Sequence, residues 1–255
     1  MQKTLGMGRI LFGLGAALVS TTTHATSPEV IEEMPAELET RYALSAMPPA
    51  LRTDASVYLL DPKAGYRLAR KGSSGVECLV QRTAWELADF RDDIYIPLCY
   101  DAAGAATYLE VIKETAKLRA QGLGSTSLKA KIQRGFLRGV YRVPGKGGVS
   151  YMLSPVFRTV GPPDLKVRTM VMPHLMFYAP NLTNADIGAK PDLAVPATLL
   201  MPFIDRQGIG EQSYVIQLLG KSETSEILKN EKDLIEALCA YRKVLCVTKE
   251  GRSHH

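Results

Sequence analysis

Ser56-Val57-Tyr58-Leu59-Leu60-Asp61-Pro62-Lys63-Ala64-Gly65-Tyr66-Arg67-Leu68-Ala69 is the stretch from which the fold is read. Residues 56–60 are mostly β-branched, aromatic or aliphatic and read as a strand. Residues 61–65 carry the proline and glycine of a turn, and residues 66–69 read as the returning strand. A second turn, Lys71-Gly72-Ser73-Ser74-Gly75, leads into a third strand, Val76-Glu77-Cys78-Leu79-Val80. Together they predict an antiparallel meander.

Working outward, the spacing predicts a helix over 103–120. Tyr108, Val111, Ile112, Thr115 and Leu118 recur there at intervals of three and four. Gly122-Leu123-Gly124 stops it, and Ser125 to Ser127 cap a second helix. That helix carries Leu128, Ile132 and Phe136 on one face and Lys131, Arg134 and Arg138 on the other. Apolar, strand-like runs follow at 149–153, 167–172, 175–178, 198–203 and 214–219. A last helix is expected from Ser222 to Tyr241, with Ile227, Leu234, Leu238 and Tyr241 on its apolar face. Strands come in runs with helices between and after them. The expected class is therefore α+β, a largely antiparallel sheet with helices packed on one side.

The amino terminus reads as a secretory signal peptide, residues 1–25. Lys3 and Arg9 precede an apolar run from Ile10 to Val19, and small residues end at Ala25. That run is about half the ~20 residues needed to span a bilayer, so no transmembrane anchor is expected. Residues 26–250 form one expected domain, long enough to bury a substantial core. Residues 26–40, acidic and weakly apolar, read as a loose arm. Residues 251–255 read as a disordered tail or tag remnant, and His254 and His255 receive no role.

The chain has 31 Lys and Arg against 26 Asp and Glu. Two of those cations lie in the leader, leaving a mild excess that gives no reason to expect a nucleic-acid partner. Four cysteines, Cys78, Cys99, Cys239 and Cys246, suggest disulfides in an exported chain. Four cysteines allow three pairings, and the order favours the two short-range ones. Residues seven apart on an unbroken helix rise ~10.5 Å, beyond the ~7 Å that a disulfide tolerates between Cα atoms. A Cys239–Cys246 bridge therefore requires the last helix to end between them. The expected location is periplasmic or secreted.

Motifs for chemistry are sparse. Apart from leader and tail, His174 is the one histidine, which argues against a multi-histidine zinc site. No G-x-S-x-G elbow is present, and Gly220-Lys221-Ser222 lacks the first glycine of a phosphate loop, Val215 standing there. As a general base, His174 would need a carboxylate and a hydroxyl. Asp186 is the nearest carboxylate in sequence, with Asp164 and Asp192 flanking, and Ser154 or Ser150 offers the hydroxyl. In an extended chain Met172, His174 and Met176 would share a face, a soft-ligand set for copper or haem. The plainer reading is a core strand in which Met fills gaps. Asn181, Asn184 and Asp186 offer hard oxygen ligands that suit calcium, although Asn and Asp also cap turns. The basic stripe continues through Arg142 and Lys146 and could meet anionic lipid or polysaccharide.

Leu59-Leu60-Asp61-Pro62, Ile94-Tyr95-Ile96-Pro97-Leu98-Cys99-Tyr100-Asp101, Met172-Pro173-His174-Leu175-Met176-Phe177-Tyr178-Ala179-Pro180-Asn181 and Leu238-Cys239-Ala240-Tyr241-Arg242 together resemble a group of exported, largely uncharacterised proteobacterial proteins. The resemblance covers most of the mature chain. It implies a Gram-negative bacterial origin and, loosely, hydrolysis of small esters or lactones such as acyl-homoserine lactones. The expected function is thus an exported hydrolase with a small-molecule substrate. The alternatives are a non-catalytic envelope binding protein for a lipid or other small ligand, and a copper or haem binder.

Overall fold

A computed structural model describes residues 30–248; the expected leader 1–25 and tail 251–255 lie outside the described residues. Strands β1 (Ser56–Asp61) and β2 (Gly65–Arg70) form the expected hairpin. Gly65 closes it at φ 96°, with the backbone of Lys117 about 3.2 Å from where a Cβ would sit. A side chain there would meet both left-handed strain and a helix. Strand β3 (Glu77–Gln81) does not extend a meander. It pairs with β1 on the side away from β2 and therefore runs parallel to it. Every other pairing is antiparallel.

The sheet has eight strands in the order β2-β1-β3-β4-β5-β8-β10-β9. Its remaining members are β4 (Ile96–Tyr100), β5 (Val149–Met152), β8 (His174–Tyr178), β9 (Phe203–Arg206) and β10 (Ser213–Leu218). Strands β6 (Phe157–Gly161) and β7 (Lys166–Met170) make a separate two-stranded ribbon. The α+β class and the antiparallel character are as expected.

Strand β4 carries a proline in mid-sheet. Cys78 faces Cys99 with Cα atoms 4.1 Å apart, the close spacing of a non-hydrogen-bonded pair. Val80 and Pro97, two residues along, share that type, so the missing N–H of Pro97 points away from β3. There it meets no ladder: β5 pairs with β4 only at residues 99 and 100, and Leu153 N–H donates instead to Ala46 O at 3.0 Å.

Helices cover both faces of the sheet, where one was expected. α2 (Ala102–Ala105), α3 (Tyr108–Ala120) and α4 (Ser125–Leu137) accompany one face. Leu79, Leu98 and Tyr100 pack there against Tyr108, Ile112, Leu128 and Ile132. α1 (Ala36–Ser45) and α6 (Lys232–Tyr241), the latter preceded by α5 (Lys221–Asn230), take the other. Val57, Cys78, Val80 and Cys99 pack there against Tyr42, Ala43, Leu234 and Leu238. The cause is alternation: β3 and β4 are apolar on both sides, and each side must be covered.

Of the expected loose arm, residues 36–40 instead begin helix α1. Met34 and Tyr42 are buried, and Glu37 and Glu39 stand in the first turn of α1, where acids complement the helix dipole. The helix expected over 103–120 is interrupted at Thr107 (φ −134°, ψ −82°), after α2 is capped by the Asp101 carboxylate. The run at 198–203 is a 3₁₀ turn, Pro196–Leu200, held by the Thr198 hydroxyl, and only Phe203 joins a strand. The last helix breaks between Asn230 and Lys232.

Both disulfides pair as expected, Cys78–Cys99 and Cys239–Cys246. α6 ends at Tyr241 and gives way to the 3₁₀ turn Lys243–Leu245, which brings Cys246 back to Cys239. Two disulfides fit an extracytoplasmic protein. No helix among the described residues is long and apolar enough to cross a membrane.

Tyr95 is held by two arginines from distant parts of the chain, one of them just after α6. The buried Arg82 guanidinium lies 3.7 Å from the Tyr95 ring centre and donates to Ile94 O and Asp92 O. Arg242 donates to the Tyr95 hydroxyl at 2.8 Å, to Asp92 O and to the Asp92 carboxylate.

Candidate functional site

The sheet register fixes which side chains share the face under α3 and α4. Three rows run across it. The first holds Asp205, Tyr214 and Tyr178. The second holds Phe203, Ile216, Met176, Ser150 and Tyr100. The third holds Leu218, His174 and Met152.

His174 is therefore a core side chain, only 5 % exposed. Its Nδ1 donates to Met172 O at 2.7 Å, and its ring meets Phe157 edge to face at 5.8 Å. Burial holds its pKa below the usual histidine value, against the opposing pull of the Met172 carbonyl. Ser154 sits elsewhere: its buried hydroxyl donates to Val156 O at 2.9 Å and meets Ser45 Oγ at 2.8 Å, tying α1 to the strand end. Asp186 is exposed and accepts from the hydroxyl and backbone N–H of Thr183, both at 2.8 Å. Those bonds hold its carboxyl below the ordinary range. The expected triad of His174, Asp186 and Ser154 is not assembled, because each member is spent on a different local tie.

The oxygen ligands expected for calcium are likewise engaged in the loop. The Asn184 amide brackets Ile204, accepting from its N–H and donating to its carbonyl. Asn181 takes a left-handed backbone (φ 66°) beside Gly210. Among the described residues no group of three His, Cys, Asp or Glu side chains is placed to hold a metal. Of the soft-ligand set, Met176 is in the core and contacts Gln207, and the His174 Nδ1 is occupied as above.

The first row instead brings out a carboxylate pair that motif reading missed. The 3₁₀ turn Trp85–Leu87 packs near α4 and sets Glu86 beside Gly208, whose added Cβ would fall 2.9 Å from Glu86 Cβ. Burial pushes the Glu86 pKa up to about 7, against its own backbone hydrogen bond, and the charge of nearby Asp205 raises it further. Burial also raises Asp205. Yet Glu86 is only half-buried and the Asp205 side chain is exposed. Both carboxyls are thus partly desolvated by the surrounding chain while still within reach of water.

Buried hydroxyls line the neighbouring rows. Tyr100 and Tyr214 share a hydrogen bond at 3.1 Å. Burial pushes Tyr100 up to about 12, so both stay protonated donors. Tyr178 donates to Asp101 and to Val149 O, both at 2.9 Å. Gln212 Oε1 is buried without a hydrogen-bond partner, an arrangement native interiors rarely leave unexplained.

A recess of about 260 Å³ lies on the side of the sheet that carries α1 and α5. Met47, Pro48, Leu153 and Ile227 form its apolar wall, and Glu223 and Glu226 its rim. The Arg52–Glu231 pair, 2.6 Å apart, closes one side.

No family model, curated protein or solved structure matches the chain.

Proposed function

We propose that the protein is an exported hydrolase of small esters or lactones, in the periplasm or secreted, and that Glu86 and Asp205 are its acid–base pair. The observation that carries this reading is a carboxyl raised to about 7 and close enough to a second carboxyl to feel its charge, both of them reached by solvent. Two neighbouring carboxyls can divide the labour of hydrolysis. Asp205 takes the proton of an attacking water. Glu86, still protonated near neutrality, gives its proton to the departing alkoxide oxygen.

The test is a panel of small esters and lactones, acyl-homoserine lactones included. Glu86→Gln is expected to lower kcat/KM by about 10²–10⁴-fold with the fold intact, while Ser154→Ala keeps the parent rate. The rate is expected to fall as pH rises past about 7, where Glu86 loses its proton. Equal turnover by parent and Glu86→Gln would remove the pair from catalysis.

A second reading, a binding protein for a small amphiphile, is favoured by the apolar recess with its carboxylate rim. Saturable calorimetric binding of a short-chain alkylamine, lost in Glu223→Gln/Glu226→Gln, would support it.

A further inference from the structure

Between Glu114 and Asp164 the chain contains no acidic residue, although it is acidic or mixed on both sides. Five cations of that stretch, Lys131, Arg134, Arg138, Arg142 and Lys146, are all exposed. None of the five takes part in an ion pair among the described residues. Most charged surfaces intersperse the two signs; this one does not.

Two of the most exposed large apolar side chains stand among these cations. Leu137 is 79 % exposed and Val140 70 %. Their position is fixed by the helix ending. Gly139, at φ 68°, is the left-handed residue after α4. Gly139 N–H donates to Phe136 O at 2.9 Å, and Val140 N–H to Gly135 O at 2.8 Å, the paired bonds of a Schellman motif. In that motif the residue in the place of Val140 usually packs back on the residue in the place of Gly135. Gly135 has no side chain to offer, and the Tyr141 ring already fills the space where its Cβ would lie. Val140 is therefore held outward by a hydrogen-bonded turn, next to Leu137 and between Arg138 and Arg142.

Exposed apolar side chains ringed by cations match one surface chemistry in particular, an anionic lipid bilayer. The cations meet lipid phosphates, and the apolar tips enter the boundary between headgroup and acyl chain. We propose that the end of α4 and the turn after it, residues 131–146, form a peripheral docking surface for anionic membrane. A groove of about 690 Å³ beside it, lined by Lys117, Lys131, Val140 and Tyr141, has room for a lipid headgroup; its acidic wall, Glu110 and Glu114, lies on the α3 side. An acidic polysaccharide would satisfy the cations but leave Leu137 and Val140 in water.

The test is cosedimentation with vesicles, using residues 26–255, which retain every described residue and omit the apolar leader. Vesicles of equal parts phosphatidylglycerol and phosphatidylcholine are expected to bind the protein, and pure phosphatidylcholine to bind it at least tenfold less. Arg134→Glu/Arg138→Glu is expected to lower the partition coefficient by more than about fivefold for each charge removed. Leu137→Ser/Val140→Ser is expected to lower it by about tenfold, and Lys221→Glu/Lys229→Glu, exposed on α5 on the other side of the sheet, to leave it unchanged. All four substituted positions of the two test variants are exposed, so their circular dichroism should match the parent. Absence of binding to anionic vesicles at low salt would overturn the proposal. So would binding that the Leu137/Val140 variant leaves intact, or binding to alginate without binding to vesicles.

Discussion

Glu39 shows how far burial alone can move a residue's chemistry. It lies in α1, 2 % exposed, and its carboxyl accepts the Leu60 N–H at 3.0 Å. Desolvation pushes it up to about 7, against that hydrogen bond and the attraction of Arg82 and Arg67. A carboxyl raised in the folded state favours the fold fully below its unfolded value, and that contribution is lost as pH rises through about 7. Glu86 acts in the same direction. Thermal stability should therefore decline between about pH 5 and pH 8. Glu39→Gln keeps the acceptor for Leu60 and removes the charge. It should raise stability at pH 8 by on the order of 1–3 kcal/mol and change little at pH 5, as denaturant titrations at the two pH values will show. Asp205→Asn should move the Glu86 titration to lower pH in carboxyl NMR, since a neighbouring negative charge is removed. At this scale the sequence was least informative. His174 drew the eye because histidine is rare here, and burial then took it out of reach. Glu86 and Asp205 are ordinary in type and far apart in the chain. Only the strand register sets Asp205 beside Tyr214, and only the packing of the Trp85–Leu87 turn sets Glu86 near it.

Elements were legible where a period could be counted. The apolar faces of α3 and α4 are the ones their spacing predicts, and the end of α6 before Cys246 follows from disulfide reach. Elements went unseen where local composition argued the other way. Acidic residues concealed α1, although its first-turn glutamates suit a helix start. Pro97 concealed β4, whose tolerance of proline depends on how short β5 is. The two disulfides act on different elements. Cys78–Cys99 joins directly opposed residues of β3 and β4 across 21 residues of chain, while Cys239–Cys246 folds a seven-residue segment back on α6. Loop-closure entropy gives roughly 3 kcal/mol for the first and about 2 for the second. Cys78→Ala/Cys99→Ala should accordingly lower the denaturation midpoint more than Cys239→Ala/Cys246→Ala, measured in urea. Leu238→Ala, emptying a buried site under α6, should cost about 2–5 kcal/mol in the same assay.

At the scale of the whole molecule, the sheet is a partition with a core on each side. Strands β3 and β4 belong to both cores, contributing Leu79 and Leu98 to one and Val80 and Cys99 to the other. Neither core can melt without exposing the back of strands that the other needs. Unfolding should be a single transition, with far-ultraviolet dichroism and tyrosine fluorescence coinciding; two separated transitions would mean that the layers are independent. The α+β class was readable from the run of strands and helices. That helices occupy both sides was not, because alternation between two apolar faces looks like one continuous apolar run.

The clasp of Arg82 and Arg242 on Tyr95 has a consequence for the order in which the molecule is made. One core is assembled from α1, the central strands and α6, so its earliest members leave the ribosome long before their final partner. Until Arg242 emerges, Tyr42, Val57 and Val80 have half a neighbourhood, and the newborn polypeptide has no finished layer on that side. That layer closes only when the strand pair and α1 meet α6 and the arginine that follows it.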